Sequence, residues 1–136
     1  MELLRNAKLL LRSGGRILIQ IINYDRIIEK ALTGLPTIYN EEAGVKFIRN
    51  YEAGPEEGLL YFSTKLIIER QGRKREFKNR VPLLALRSKE LFNLLSKAGF
   101  KNISAYGSFK GEEFNPQKSQ PLIVIADKKI NNEEGE

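Results

Sequence analysis

The sequence contains no cysteine and no histidine. Without cysteine there are no disulfides and no thiolate metal ligands, and the redox compartment is left open. Without histidine there is no Ser-His-Asp chemistry and no zinc–histidine site, and the commonest general base is missing. Long apolar runs are lacking too: none approaches the roughly 20 residues that a membrane-spanning helix needs. The opening Met1-Glu2-Leu3-Leu4-Arg5 breaks its apolar residues with charge. That is not the layout of a signal peptide, so a cytoplasmic location is expected. What is present is ordinary for a globular chain: 136 residues, 41% hydrophobic and 29% charged, enough for one domain with a sizeable core. The net charge of +6 suits either a lysine-rich solvated surface or an anionic partner such as nucleic acid.

The chain is organised around residues 2–25. Leu3, Leu4, Ala7, Leu10 and Leu11 recur at helical spacing and predict one apolar stripe. Lys8 and Arg12 fall in the last turns, where cations suit the helix dipole. Gly14 can take the left-handed conformation that ends a helix, and Gly15 lets the backbone turn straight on. Residues 16–23 follow as a strand, Arg16-Ile17-Leu18-Ile19-Gln20-Ile21-Ile22-Asn23. So continuous an apolar, β-branched run fits a strand covered on both faces. The strand ends in Asn23, Tyr24 and Asp25, and in open α/β sheets ligands gather beyond the carboxyl ends of strands.

Ile27, Ile28, Ala31 and Leu32 predict a short helix stopped by Gly34 and Pro36, with a loop over 37–44. Residues 45–81 read as an antiparallel unit of about three strands, with Gln71-Gly72 as a tight turn and Phe77 and Val81 facing inward. Pro82 is expected to limit further pairing. A helix from Ser88, capped by that serine, buries Leu91, Leu94, Leu95 and Ala98 and closes at Gly99. A strand over 100–109, a loop over 110–120 and a buried strand over 121–126 complete the order. Residues 1–130 are thus expected to form a single α/β domain with an antiparallel insertion at about 45–81. Residues 131–136, polar and acidic, are expected to be a disordered tail.

Three short motifs stand in a telling order. Leu11-Arg12-Ser13-Gly14-Gly15 joins a helix to a strand, Ala98-Gly99-Phe100 ends a second helix, and Ala126-Asp127-Lys128 ends the last strand. In that order and spacing, over about residues 2–128, they resemble the C-terminal half of a class I S-adenosylmethionine-dependent methyltransferase. The resemblance implies a partial Rossmann-like sheet whose core strands are the family's fifth, seventh and sixth, side by side in the order 5-7-6. The seventh is antiparallel between its neighbours, with flanking helices. Those strands are residues 16–23, 121–126 and 101–109. The family's cofactor loop, Gly-x-Gly after a strand, has no counterpart here, so the chain resembles a fragment or truncated relative. S-adenosylmethionine is the cofactor implied for the full-length family enzyme, and none is expected for this chain alone. The exposed edge of the fifth strand is expected to pair with a second copy, giving a dimer.

The resemblance places Asn23, Tyr24 and Asp25 beside a substrate, with Asp25 available to accept a proton. On the residues alone, the favoured role of Asp25 is a cap on the helix carrying Ile27 and Ile28. Tyr39, Arg49 and Tyr51, with Phe47, are candidates to line an acceptor pocket in the insertion, Arg49 holding a carboxylate or phosphate. Aromatics at alternating strand positions also serve as core or cross-strand pairs. Arg70, Arg73, Lys74, Arg75, Lys78 and Arg80 crowd the hairpin turn. They suit a phosphate backbone or a solvated, aggregation-blocking surface. The implied function is the acceptor-side part of a small-molecule methyltransferase, inactive by itself. No metal ligand set is expected, nor a membrane partner, and nucleic acid is disfavoured. A basic nucleic-acid-binding module and a non-catalytic interaction domain stand as the alternatives.

Overall fold

A computed structural model describes residues 2–130 of the chain. The elements run α1 (Glu2–Leu10), β1 (Arg16–Ile22), α2 (Tyr24–Glu29), β2 (Gly34–Asn40), β3 (Val45–Ala53), β4 (Leu59–Arg70), β5 (Arg73–Leu84), α3 (Ser88–Lys97), β6 (Phe100–Tyr106) and β7 (Pro121–Lys128). The chain divides into two compact units. The first combines the two ends of the chain, up to Lys30 and from Leu86; the second is Ala31–Ala85. Among the described residues, no helix is long and apolar enough to cross a membrane.

The first unit holds a three-stranded sheet in the order β1-β7-β6. Both neighbours of β7 run antiparallel to it. Directly paired residues share a face, so Ile17, Ile19 and Ile21 of β1 continue the row Ala126, Val124 and Leu122 of β7. This row packs with Leu4, Leu91, Leu95 and Phe100 to form the core. The strand buried on both faces is β7, where Leu122, Ile123 and Val124 are consecutive and all buried. That corrects the expectation for β1. As an edge strand it alternates, with Leu18 53% exposed and Ile22 40% exposed.

The stripe of α1 is narrower than its leucines suggest: Leu4 is buried and Leu11 packs on the core, whereas Leu3, Leu9 and Leu10 are exposed. The helix stops at Leu10, so Arg12 lies beyond it. Gly14 (φ 76°) and Gly99 (φ 93°) take the left-handed region where a helix hands over to a strand. The last-strand motif has a physical role at each residue. Ala126 fills the core, Asp127 accepts from Arg16 Nε at 2.9 Å, and Lys128 Nζ donates to the Leu11 carbonyl at 2.9 Å. Lys128 therefore ties the exit of α1 to the sheet. β6 ends at Tyr106, short of the expected 109, and carries an irregularity between Lys101 and Ser104 where Asn102 has φ 53°.

The second unit is a four-stranded antiparallel sheet in the order β2-β3-β4-β5. It is larger than the expected three strands over 45–81. Residues 34–40, expected as a helix stop and loop, form β2 against β3, and α2 ends earlier, at Glu29. Pro82 does not stop the pairing: it lies opposite Tyr61, and β5 runs on to Leu84. β5 is an edge, where a missing N–H is tolerated. Phe77 and Val81 are exposed rather than inward. The tail over 131–136 lies outside the described residues.

Candidate functional site

The six candidate residues divide equally between the units. In the first, Asn23, Tyr24 and Asp25 stand together at the end of β1, all buried. The Asn23 amide, 1% exposed, donates through Nδ2 to the carbonyls of Pro116 (2.9 Å) and Ser119 (2.7 Å). Its backbone N–H donates to the Gln120 carbonyl at 3.0 Å. Asn23 therefore pins the 116–120 loop to the end of the strand. Its Oδ1 is buried with no hydrogen-bond partner among the described residues. The same loop helps line a cavity of about 540 Å³, bordered by Glu29, Glu113, Phe114, Asn115, Pro116 and Gln117.

Asp25 neither caps its own helix nor offers a free base. Its Oδ1 accepts from Arg87 Nε at 2.7 Å, and its Oδ2 accepts from the Ser88 hydroxyl and, at 3.4 Å, from the Ser88 backbone N–H. Ser88 opens α3, and the α3 cap position, Arg87, makes no side-chain capping bond. The N-terminus of α3 is capped from a distance by Asp25, not by Ser88 as the sequence suggests. Burial pushes the Asp25 carboxyl up, but the bonds from Arg87 and Ser88 outweigh it and hold the pKa below the ordinary carboxylate value. A general base must be free to take a proton. This carboxylate already accepts from three donors and is held in its ionised form, so proton acceptance by Asp25 is not supported. Arg87, which also donates to Glu29 Oε1 at 2.6 Å, was not signalled by the sequence, since its partner lies 62 positions away.

In the second unit the register separates the other three candidates. Arg49 and Tyr51 lie opposite Thr64 and Phe62 on the sheet face that also carries Phe47, Leu66, Phe77 and Val81. Tyr51 is buried and its ring sits 5.4 Å from that of Phe62. Arg49 donates from Nη2 to the Pro36 carbonyl at 2.8 Å, which makes it a tie between β2 and β3. Tyr39 lies opposite Lys46 and therefore on the other face, 63% exposed. The other face also carries most of the lining of a groove of about 590 Å³, including Ile48, Asn50, Glu52, Ser63, Lys65, Lys78 and Arg80. Arg49 and Tyr51 are thus not part of that groove. A change of one position along β3 switches the face, and the sequence alone does not reveal which face carries the groove.

No Gly-x-Gly occurs in the sequence. β1 runs directly into Asn23-Tyr24-Asp25 and α2, with no glycine-rich turn where the backbone can approach a ligand. The acid beyond β1, Asp25, is committed to Arg87 and Ser88.

A helix-covered sheet with a central antiparallel strand, joined to a separate antiparallel sheet, defines an α/β fold. It is the fold of part of an S-adenosylmethionine-dependent methyltransferase. The chain is similar to such an enzyme from Clostridium acetobutylicum, with TM-score 0.71 and 11% identity over 93% of this chain and 49% of that one. It is similar to the CcbJ methyltransferase from Streptomyces caelestis, with TM-score 0.70 and 21% identity over 93% of this chain and 51% of that one. A third structure, an S-adenosylmethionine-bound amino pentose methyltransferase from Micromonospora echinaspora, gives TM-score 0.58 and 14% identity over 93% and 49%. The chain thus spans about half the length of these enzymes. No family model matches it, and no curated protein does.

Proposed function

We propose that this chain is the acceptor-side part of an S-adenosylmethionine-dependent methyltransferase for a small molecule, and that it transfers no methyl group by itself. The observation that carries the reading is the extent of the likeness: 93% of this chain is matched, and about half of each enzyme. In this reading β1, β7 and β6 are the family's fifth, seventh and sixth strands. The similarity to an amino pentose enzyme supports a small acceptor, and a groove of about 590 Å³ lies in the size range of small-molecule sites. The lack of a Gly-x-Gly after any strand of the sequence supports incompetence toward the cofactor. The role of the β1 rim is then structural: Asn23 holds the 116–120 loop and Asp25 holds α3.

Two measurements test this. Titration calorimetry with S-adenosylmethionine is expected to show no stoichiometric binding by the chain, and a clear one-to-one isotherm overturns the claimed incompetence. Nuclear Overhauser contacts are expected between β1 and β7 at Ile19–Val124 and between β7 and β6 at Val124–Ala105. If these strands prove to lie in separate layers, the assignment to the methyltransferase half-sheet fails.

A further inference from the structure

The groove face of the second unit is a lattice of cross-strand rows. Across β3, β4 and β5, one row is Ile48–Lys65–Lys78 and the next is Asn50–Ser63–Arg80. All six of these residues line the groove. Lys65 and Lys78 are therefore directly opposite on neighbouring strands, with like charges on one face, an arrangement that costs stability in a sheet. Lys65 is partly relieved by Glu76, 3.6 Å away, which Lys74 shares at 3.4 Å. The hydrogen bond from Lys74, more than the charge of Lys65, holds the Glu76 carboxyl below its ordinary value. Lys78 has no ion-pair partner among the described residues. Arg80 is held in place, with its guanidinium 3.8 Å from the Tyr61 ring centroid and Nη2 3.3 Å from Glu52. The groove lining thus carries Lys65, Lys78 and Arg80 against the single acid Glu52. Beside the cations stand the hydroxyl of Ser63 and the amide of Asn50, both able to bond oxygen.

We infer that this groove is a binding site for the anionic oxygen group, phosphate or carboxylate, of a small molecule, with Lys78 and Lys65 as its two cationic clamps. A bound anion between two opposed ammonium groups removes their repulsion and satisfies the one cation that lacks a partner. Arg80, fixed by Tyr61 and Glu52, closes the side of the site, and Ile48 supplies an apolar floor. The dimensions favour a small molecule over a nucleic-acid strand. Tyr61, the ring beside the cations, is covered by Arg80, and the exposed ring on this face, Tyr39 of β2, does not line the groove, so the groove itself offers no free surface for base stacking. The site stands on the geometry of the second unit and does not depend on the methyltransferase reading.

Calorimetry at low ionic strength with inorganic phosphate in one arm and acetate in the other tests the site. Saturable binding is expected in at least one arm, and which arm responds names the anion. Lys78→Gln is expected to weaken that binding about tenfold or more, as loss of a charge-assisted bond does, and Lys65→Gln likewise. Lys89→Gln, on α3 in the other unit, is expected to leave it unchanged. Because Lys78→Gln also removes a like-charge opposition, its melting temperature is expected to equal or exceed that of the parent chain. No saturable binding of either anion overturns the inference. So does binding indifferent to Lys78, or a Lys78→Gln variant that melts lower. If an oligonucleotide binds, is not displaced by phosphate, and is lost on neutralising Arg73 and Arg75 rather than Lys78, the small-anion reading is likewise overturned.

Discussion

Arg87 Nε donates to Asp25 Oδ1 at 2.7 Å, and the adjacent Ser88 hydroxyl donates to Oδ2 of the same carboxylate. One buried side chain at the end of β1 thereby fixes the entry of α3, the helix that supplies Leu91 and Leu95 to the core. The bond is charge-assisted, and removing one partner leaves the other's hydrogen bonds unmade.

Asp25→Asn is therefore expected to cost about 2–3 kcal/mol, because a buried charge pair and a helix cap are lost together. Urea unfolding at neutral pH measures it. A variant within experimental error of the parent would show that α3 needs no such cap.

The same carboxylate gives stability a defined pH dependence. Its folded pKa lies below the unfolded value of about 3.9. Between those two values the unfolded chain binds the proton and the folded chain does not, so stability rises with pH across that interval. The contribution is complete above the unfolded value and is lost as the pH falls through the folded one. Asp127, lowered first by its bond from Arg16 and then by Asn102, acts in the same direction. Unfolding free energies measured from pH 6 downward are expected to stay level to about pH 4 and then decline. The decline should be shallower in Asp25→Asn, and an equal slope in both proteins would refute the assignment.

Asn23 tests the 116–120 loop in a different way. Asn23→Ala removes two donors to the Pro116 and Ser119 carbonyls, at a cost of about 1–2 kcal/mol. Asn23→Asp has nearly the same shape but sets a buried carboxylate against the same carbonyl oxygens, for about 3 kcal/mol or more at neutral pH. The expected order of stability is parent, Ala, Asp. Limited proteolysis should cut the 116–120 loop first in the Asp variant. Finding the Asp variant more stable than the Ala variant would mean that the amide does not face those carbonyls.

Local turns and helix ends were legible in the residues themselves, and side-chain ties between remote segments were not, for a physical reason. The Gly14-Gly15 corner, the Ala98-Gly99-Phe100 helix end and the Gln71-Gly72 turn each depend on a backbone conformation that neighbouring residues dictate. The strand β2 does not: Gly34 and Pro36 signal a break, and pairing with β3 overrides that signal. The β1 rim stands out in the sequence because polar residues follow an apolar run there. What Asp25 binds does not, because its partner Arg87 is remote in sequence. In the insertion the aromatic and basic residues were visible, but which of them share a face depends on register, so Lys65, Lys78 and Ser63 were not joined into one site.

The hairpin offers a test of that local logic. Gln71 and Gly72 form a two-residue connection with φ values of 52° and 75°, the pattern that favours Asn-Gly. Gly72 has open space where a Cβ would go, so Gly72→Ala carries only conformational strain, about 1 kcal/mol. Gln71→Asn relieves strain and is expected to raise stability by about 0.5 kcal/mol. Thermal melts of the two variants are expected to shift in opposite directions. Shifts of the same sign would contradict the turn geometry.

The edge of β1 carries the expectation of a dimer forward as a proposal. On one side β1 pairs with β7, and on the other no strand among the described residues pairs with it. Two copies of Arg16–Ile22 are self-complementary when antiparallel about Ile19. Ile17 then meets Ile21 and Leu18 meets Gln20, so the core-facing row stays on one face and the exposed row on the other. The product is a continuous six-stranded sheet without the open edge. Sedimentation velocity is expected to show concentration-dependent dimerisation. In Leu18→Lys/Gln20→Lys, like charges are placed opposite one another twice across the joint, while the exposed side chains they replace contribute little to the fold of a single copy. That variant is expected to remain monomeric with an unchanged melting temperature at low concentration. A parent chain that stays monomeric at high concentration, or a dimer indifferent to the two lysines, would place the contact elsewhere.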